Sequence, residues 1–148
     1  MTTASAHPAI AALPVRLIAG IVGGVAGGIV FGVLMQMMGM IPMVAMLIGS
    51  ESVAVGWLVH LFNSALFGAI YALLFAAWAD RLAPGAGLGL VYGVIWWVLG
   101  ALLIMPAWLG MPVFMLNTMA WQSLMGHLLY GLILGVTYAL VRPRLHRP

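Results

Sequence analysis

Two histidines stand sixty-seven residues apart in this 148-residue chain, each heading the same spaced pattern inside an apolar run. His60-Leu61, Gly68 and Tyr71-Ala72-Leu73 recur as His127-Leu128, Gly135 and Tyr138-Ala139-Leu140, six identities in the fourteen positions from His60 to Leu73. On a helix, residues eleven apart point the same way and lie about 16 Å apart along the axis. An ionisable group inside a membrane segment is costly, so a repeated one suggests a function. The imidazoles admit three chemistries. The first is structural, with hydrogen bonds from His60 and His127 to Asn63, Ser64, Gln122, Ser123 or a backbone carbonyl. The second is ligation of haem b or copper by the paired histidines, facing each other across a pseudo-two-fold axis, with the thioethers of Met115 and Met119 added for copper. The third is a response to pH or a proton relay from His to Tyr, since imidazole changes charge close to neutrality. All three converge on one polar seam of His60, Ser64, Tyr71, His127 and Tyr138.

The elements that carry this seam follow from composition. The chain is 66% apolar and 5% charged, with only Glu51 and Asp80 acidic and five arginines. A soluble domain carries roughly 25% charged residues, so nothing here could solvate a globular surface. Four stretches approach or exceed the roughly 20 residues that cross a bilayer: Leu17 to Met38, Val53 to Ala79, Gly85 to Met105 and Ala120 to Val141. The expected fold is an all-α integral membrane domain of four transmembrane helices, one domain over residues 1–148. The arginines flank the first span, separate the second from the third and follow the fourth (Arg16, Arg81, Arg142, Arg144, Arg147), while the other two connections carry none. The positive-inside rule then places both termini in the cytoplasm. The start, Met1 to Pro14, has no charged region ahead of an apolar core and reads as no cleaved leader. The short basic tail suits anionic lipid better than nucleic acid, which is not an expected partner.

The helix before each histidine helix carries a glycine ladder, Gly20, Gly24, Gly28 and Gly32 in the first and Gly85, Gly89 and Gly93 in the third. Residues four apart share a helix face, and glycine there lets a neighbouring backbone approach closely. Gly68, Gly131 and Gly135, with Ser64, give the histidine helices matching small faces. The sequence therefore predicts two tandem hairpins in a parallel 2+2 repeat, residues 15–79 and 85–141, whose glycines are packing positions.

Functional classes narrow by absence of motif. Without cysteine there is no disulfide, thiol catalysis or thiolate metal site. No nucleotide loop, HExxH, GxSxG or Ser/His/acid arrangement is present, and no Asp or Glu lies within a span, so neither an enzyme acting alone nor an autonomous ion pump is expected. The sequence demands no metal and no cofactor. Met35, Met37, Met38, Met40, Met43 and Met46 crowd one connection, and Met111, Met115 and Met119 step by four through another. These fit adaptable apolar caps, or a soft copper site. The bilayer is the one partner the composition requires; a second copy or another membrane protein is an open class.

The run His60-Leu61-Phe62-Asn63-Ser64, Phe67-Gly68, Tyr71, Gly89 to Gly93, Val94-Ile95-Trp96, Met105-Pro106 and Gly126-His127 resembles the YagU-type small inner-membrane proteins of bacteria, over roughly Trp57 to Val141. The resemblance implies a multi-pass protein of the bacterial cytoplasmic membrane with a structural, assembly or envelope-stress role. It implies no catalytic residue.

Overall fold

The structure is a computed structural model that describes residues 13–145. The reading of Met1 to Pro14 as lacking a leader falls almost wholly outside the described residues, as does Arg147 of the basic tail. Five helices follow in order: α1 Leu13–Met37, α2 Ile41–Met46, α3 Val53–Phe75, α4 Leu82–Trp108 and α5 Thr118–Leu145. No strand occurs among the described residues. The four long helices are each long and apolar enough to cross a membrane. Their outward faces carry large apolar side chains such as Ile18, Leu58, Phe62 and Leu73, as lipid contact requires.

The ends of the helices are set locally. Gly39 (φ 70°) follows α1 in a left-handed cap, where its N–H meets Gln36 O and the Met40 N–H meets Met35 O. Helix α3 stops at Phe75, short of the expected Ala79, because the chain must turn through Ala76 to Trp78 before Asp80 and Arg81. Arg142, one turn from the end of α5, donates from Nη1 to the freed Ala76 carbonyl at 2.8 Å. Helix α4 departs furthest from a regular span, since Trp97–Ile104 within it is a π-helix of eight residues. Pro106 follows that segment and has no N–H for the Leu102 carbonyl four residues back. That carbonyl instead accepts the Phe114 N–H at 2.7 Å, and Phe114 (φ 54°) holds the left-handed conformation that reaches it.

Lipid supplies no hydrophobic drive between spans, so close backbone contact has to hold them. Each glycine of the α1 ladder meets α3: a Cβ on Gly20 would strike Gly68, one on Gly24 or Gly28 would strike Ser64, and one on Gly32 would strike Trp57. Helix α4 repeats this against α5, Gly85 facing Gly135, Gly89 facing Gly131 and Gly93 facing the His127 carbonyl. In every case the added carbon would lie closer than 3.0 Å to its neighbour. A second ladder on α1, Gly23 and Gly27, seats α1 on Leu134 and Tyr130 of α5. Three sides of the four-helix ring are therefore glycine contacts.

The fourth side, between α3 and α4, is held apart by side chains. With Gly20 aligned on Gly85, the positions matching Gly23 and Gly27 are Leu88 and Tyr92. Tyr92 spans the gap by donating to the Phe67 carbonyl at 2.7 Å, and Phe67 stacks on Trp96 with centroids 3.8 Å apart. Tyr71 crosses the same gap further along, donating to the Gly85 carbonyl at 2.9 Å.

Gly89→Leu is expected to lower stability by about 1–3 kcal/mol or prevent assembly, because its Cβ would enter the Gly131 backbone. Gly87→Leu, where nothing lies within 4 Å, is expected to leave thermal unfolding in detergent near that of the parent.

Candidate ligand-binding cavity

The wide side of the ring and the π-helix leave space at the end of the bundle away from both termini. There a cavity of about 470 Å³ opens between α1, α2, α3, α4 and α5. Its walls include Met35 from α1, Met40 and Met43 from the first connection and its short helix α2, Met105 from α4, Met111 and Met115 from the second connection, and Met119 from α5. Phe31, Phe67, Trp96 and Tyr130 add aromatic surface. Both histidines of the repeated pattern line it, with Asn63, Ser64, Asn117 and Ser123.

Each histidine is positioned by one backbone carbonyl. His60 meets Gly28 O through Nε2 at 2.9 Å, across the glycine contact between α3 and α1. A carbonyl only accepts, so Nε2 carries the hydrogen and, in the neutral ring, Nδ1 is an acceptor. His127 meets Ser123 O through Nδ1 at 2.8 Å, one turn earlier on its own helix, with Ser123 Oγ at 3.3 Å from the same nitrogen. Its remaining nitrogen, Nε2, is then the acceptor. Neither free nitrogen has a hydrogen-bond partner among the described residues, and both rings line the cavity.

In the ligation reading the imidazoles face each other, and in the structure a phenyl ring meets both of them. Phe31 meets His60 edge-on at 5.4 Å and His127 at 4.8 Å between ring centroids. No direct pairing of the two imidazoles occurs among the described residues. Phe31 is held there by Gly126, where a Cβ would strike its ring, and by its place one turn from Gly27 and Gly28. The Ser64 and Tyr130 hydroxyls beside the imidazoles are tied to backbone carbonyls. The Ser64 hydroxyl donates to the His60 carbonyl at 2.7 Å, and Tyr130 donates to the Ser64 carbonyl at 2.8 Å.

Tyr71 and Tyr138 lie toward the other end and line no part of the cavity. Both are fully buried, 5.7 Å apart in a T-shaped pair, yet they differ in one respect. Tyr71 has its carbonyl partner, Gly85, across the wide side, whereas the Tyr138 hydroxyl has none among the described residues. The structure thus separates the seam into a cavity group of His60, Ser64 and His127 and a packing pair of Tyr71 and Tyr138. Met115 and Met119, the thioethers of the copper set, stand on the exposed rim of the same cavity as the histidines.

Sequence reasoning missed Phe31, Tyr92, Tyr130, Gly23, Gly27 and the π-helix. The second glycine ladder had a visible signal in the doublets Gly23-Gly24 and Gly27-Gly28, since neighbours on a helix point about 100° apart and so serve two faces.

A family model described as a family of unknown function (DUF6789) matches residues 14–147. No curated protein and no solved structure matches the chain.

Tyr71→Phe is expected to cost about 0.5–1.5 kcal/mol through loss of a buried hydrogen bond, read as a lower unfolding midpoint in detergent. Tyr138→Phe, which removes a hydroxyl without a partner, is expected to be neutral or stabilising in the same measurement.

Proposed function

Because the chain belongs to the DUF6789 family of unknown function, whose description carries no activity, we propose from the cavity itself that this multi-pass membrane protein binds an uncharged, largely apolar small molecule. The observation that carries this reading is a cavity of about 470 Å³ walled by methionine and aromatic side chains, with a few polar groups around two positioned imidazoles. Ligand sites are generally of about 300–1,000 Å³ with such a mixture of apolar wall and sparse polar groups. Methionine suits the wall because its unbranched thioether chain adapts to irregular shapes. Neither Glu51 nor Asp80 lines the cavity, and no arginine does, so a charged ligand would be left without a counter-ion.

Three further features of the reading rest on sequence and geometry together. The equivalent glycine contacts of α1 with α3 and of α4 with α5 support a duplicated hairpin in a parallel 2+2 repeat. The arginines at the terminal end support cytoplasmic termini, so that the cavity opens toward the opposite side. The resemblance to YagU-type proteins supports the bacterial cytoplasmic membrane as its location. On this view the glycine-packed bundle is the container, and a purely structural or assembly role would leave the free imidazole nitrogens without use. The Phe31 ring against both imidazoles favours this reading over ligation of haem b, which needs an open slot between them.

Copper(I) is a second reading, supported by seven methionines and both histidines bordering one cavity. Elemental analysis of protein purified from copper-replete cells distinguishes the two: small-molecule binding predicts well under one copper per chain. Stoichiometric copper lost on His60→Ala would establish the second reading instead.

Bromobenzene, an apolar quencher, is expected to quench tryptophan fluorescence saturably in nanodiscs, above the linear background from lipid partitioning. Gly100→Phe should abolish the saturable part, because Gly100 lines the cavity and its Cβ would meet nothing nearer than Trp96 at 3.8 Å, leaving room for a ring to fill it. Wild-type protein showing only the linear background would overturn the proposal.

A further inference from the structure

Two ring nitrogens of the cavity are left as acceptors, and this restricts the ligand. His60 Nε2 faces the Gly28 carbonyl and His127 Nδ1 faces the Ser123 carbonyl, which fixes both tautomers and leaves His60 Nδ1 and His127 Nε2 as acceptors. The Ser64 and Tyr130 hydroxyls already donate to backbone carbonyls. The Trp96 indole N–H is buried without a partner, and the Asn63 and Asn117 amides and the Ser123 hydroxyl are the donors left on the lining. An imidazolium form would turn these acceptors into donors, but it would place a charge in an apolar cavity that holds no carboxylate.

Resting on the reading of the cavity as a ligand site, we infer that its ligand is an uncharged hydroxylated aromatic, a phenol or hydroquinone, whose hydroxyl groups donate to His60 Nδ1 and His127 Nε2. Two acceptors without partners, set in an apolar wall, are matched by neutral O–H donors. Ammonium groups require a carboxylate and anions require a cation; the lining holds neither. The ring itself is matched by Phe31, which already meets both imidazoles edge-on, and by Phe67 and Tyr130 on the same lining. Saturated alcohols would satisfy the acceptors but forgo these edge-to-face contacts.

The test compares 4-pentylphenol with 4-pentylanisole, a pair differing by methylation of the donor, in nanodiscs with correction for partitioning into lipid. The phenol is expected to bind roughly tenfold more tightly, as one or two net hydrogen bonds would give. His60→Phe and His127→Phe, each verified by its circular-dichroism melt, are expected to reduce that ratio, and the double variant to abolish it. Equal saturable binding of phenol and anisole by the unmodified protein would overturn the hydroxyl assignment while leaving the apolar cavity reading intact. Absence of saturable binding by either would overturn both, so the comparison is decisive even where a variant fails to fold.

Discussion

Backbone contact between helices at glycine is the constraint on which the rest of this structure depends. At Gly20, Gly24, Gly89 and Gly131 the neighbouring chain occupies the volume a Cβ would take, so the helices approach more closely than any other residue permits. In a bilayer such contact replaces the hydrophobic drive that holds soluble bundles together, because an apolar side chain gains little by leaving lipid. The consequence is directional. Where glycine is present the ring closes, and where Leu88 and Tyr92 replace it the ring stays open, with aromatic side chains bridging the gap.

The asymmetry explains why the matching patterns that begin at His60 and His127 do not give a symmetric interior. Helix α1 has two glycine faces and joins α3 to α5; helix α4 has one and touches only α5 closely. Phe31 therefore reaches both histidines from the crowded side, while Trp96, the position matching it in α4, stacks on Phe67 across the wide side. The same imbalance separates the two tyrosines. Tyr71 points toward a helix far enough away to offer its Gly85 carbonyl, and Tyr138 faces a side already closed by glycine, with no partner for its hydroxyl among the described residues.

The spans and the glycine faces were legible because hydropathy and four-residue spacing are local properties of the chain. The ladder Gly20, Gly24, Gly28, Gly32 announces a face before any partner is known, and the partner on α3 is named by Ser64 and Gly68 at the same spacing. What could not be read was the consequence of residues far apart in sequence. That Phe31 would stand against both imidazoles depends on Gly27 meeting Tyr130 and on Gly126 leaving room for the ring, three positions spread over a hundred residues. The π-helix was hidden for a different reason. Its sequence, Trp97 to Ile104, is as apolar as an ordinary span, and only the Leu102 carbonyl turning to Phe114 beyond Pro106 reveals how the segment ends.

Packing and chemistry meet at Gly28. Its missing side chain brings α1 against Ser64, and its carbonyl, within the resulting contact, accepts from the His60 ring. A carbonyl has two lone pairs, so it can hold the ring and its place in the helix together. His60 is consequently oriented by the backbone itself, with a tautomer that no nearby side chain has to enforce. His127 reaches the same condition through Ser123 on its own helix, beneath a phenyl ring that both histidines share. An imidazole held in this way presents a fixed acceptor to an apolar space. Removing the glycine contact would release the ring as well as the helix, so the stability of the bundle and the polarity of the cavity are two consequences of one interaction.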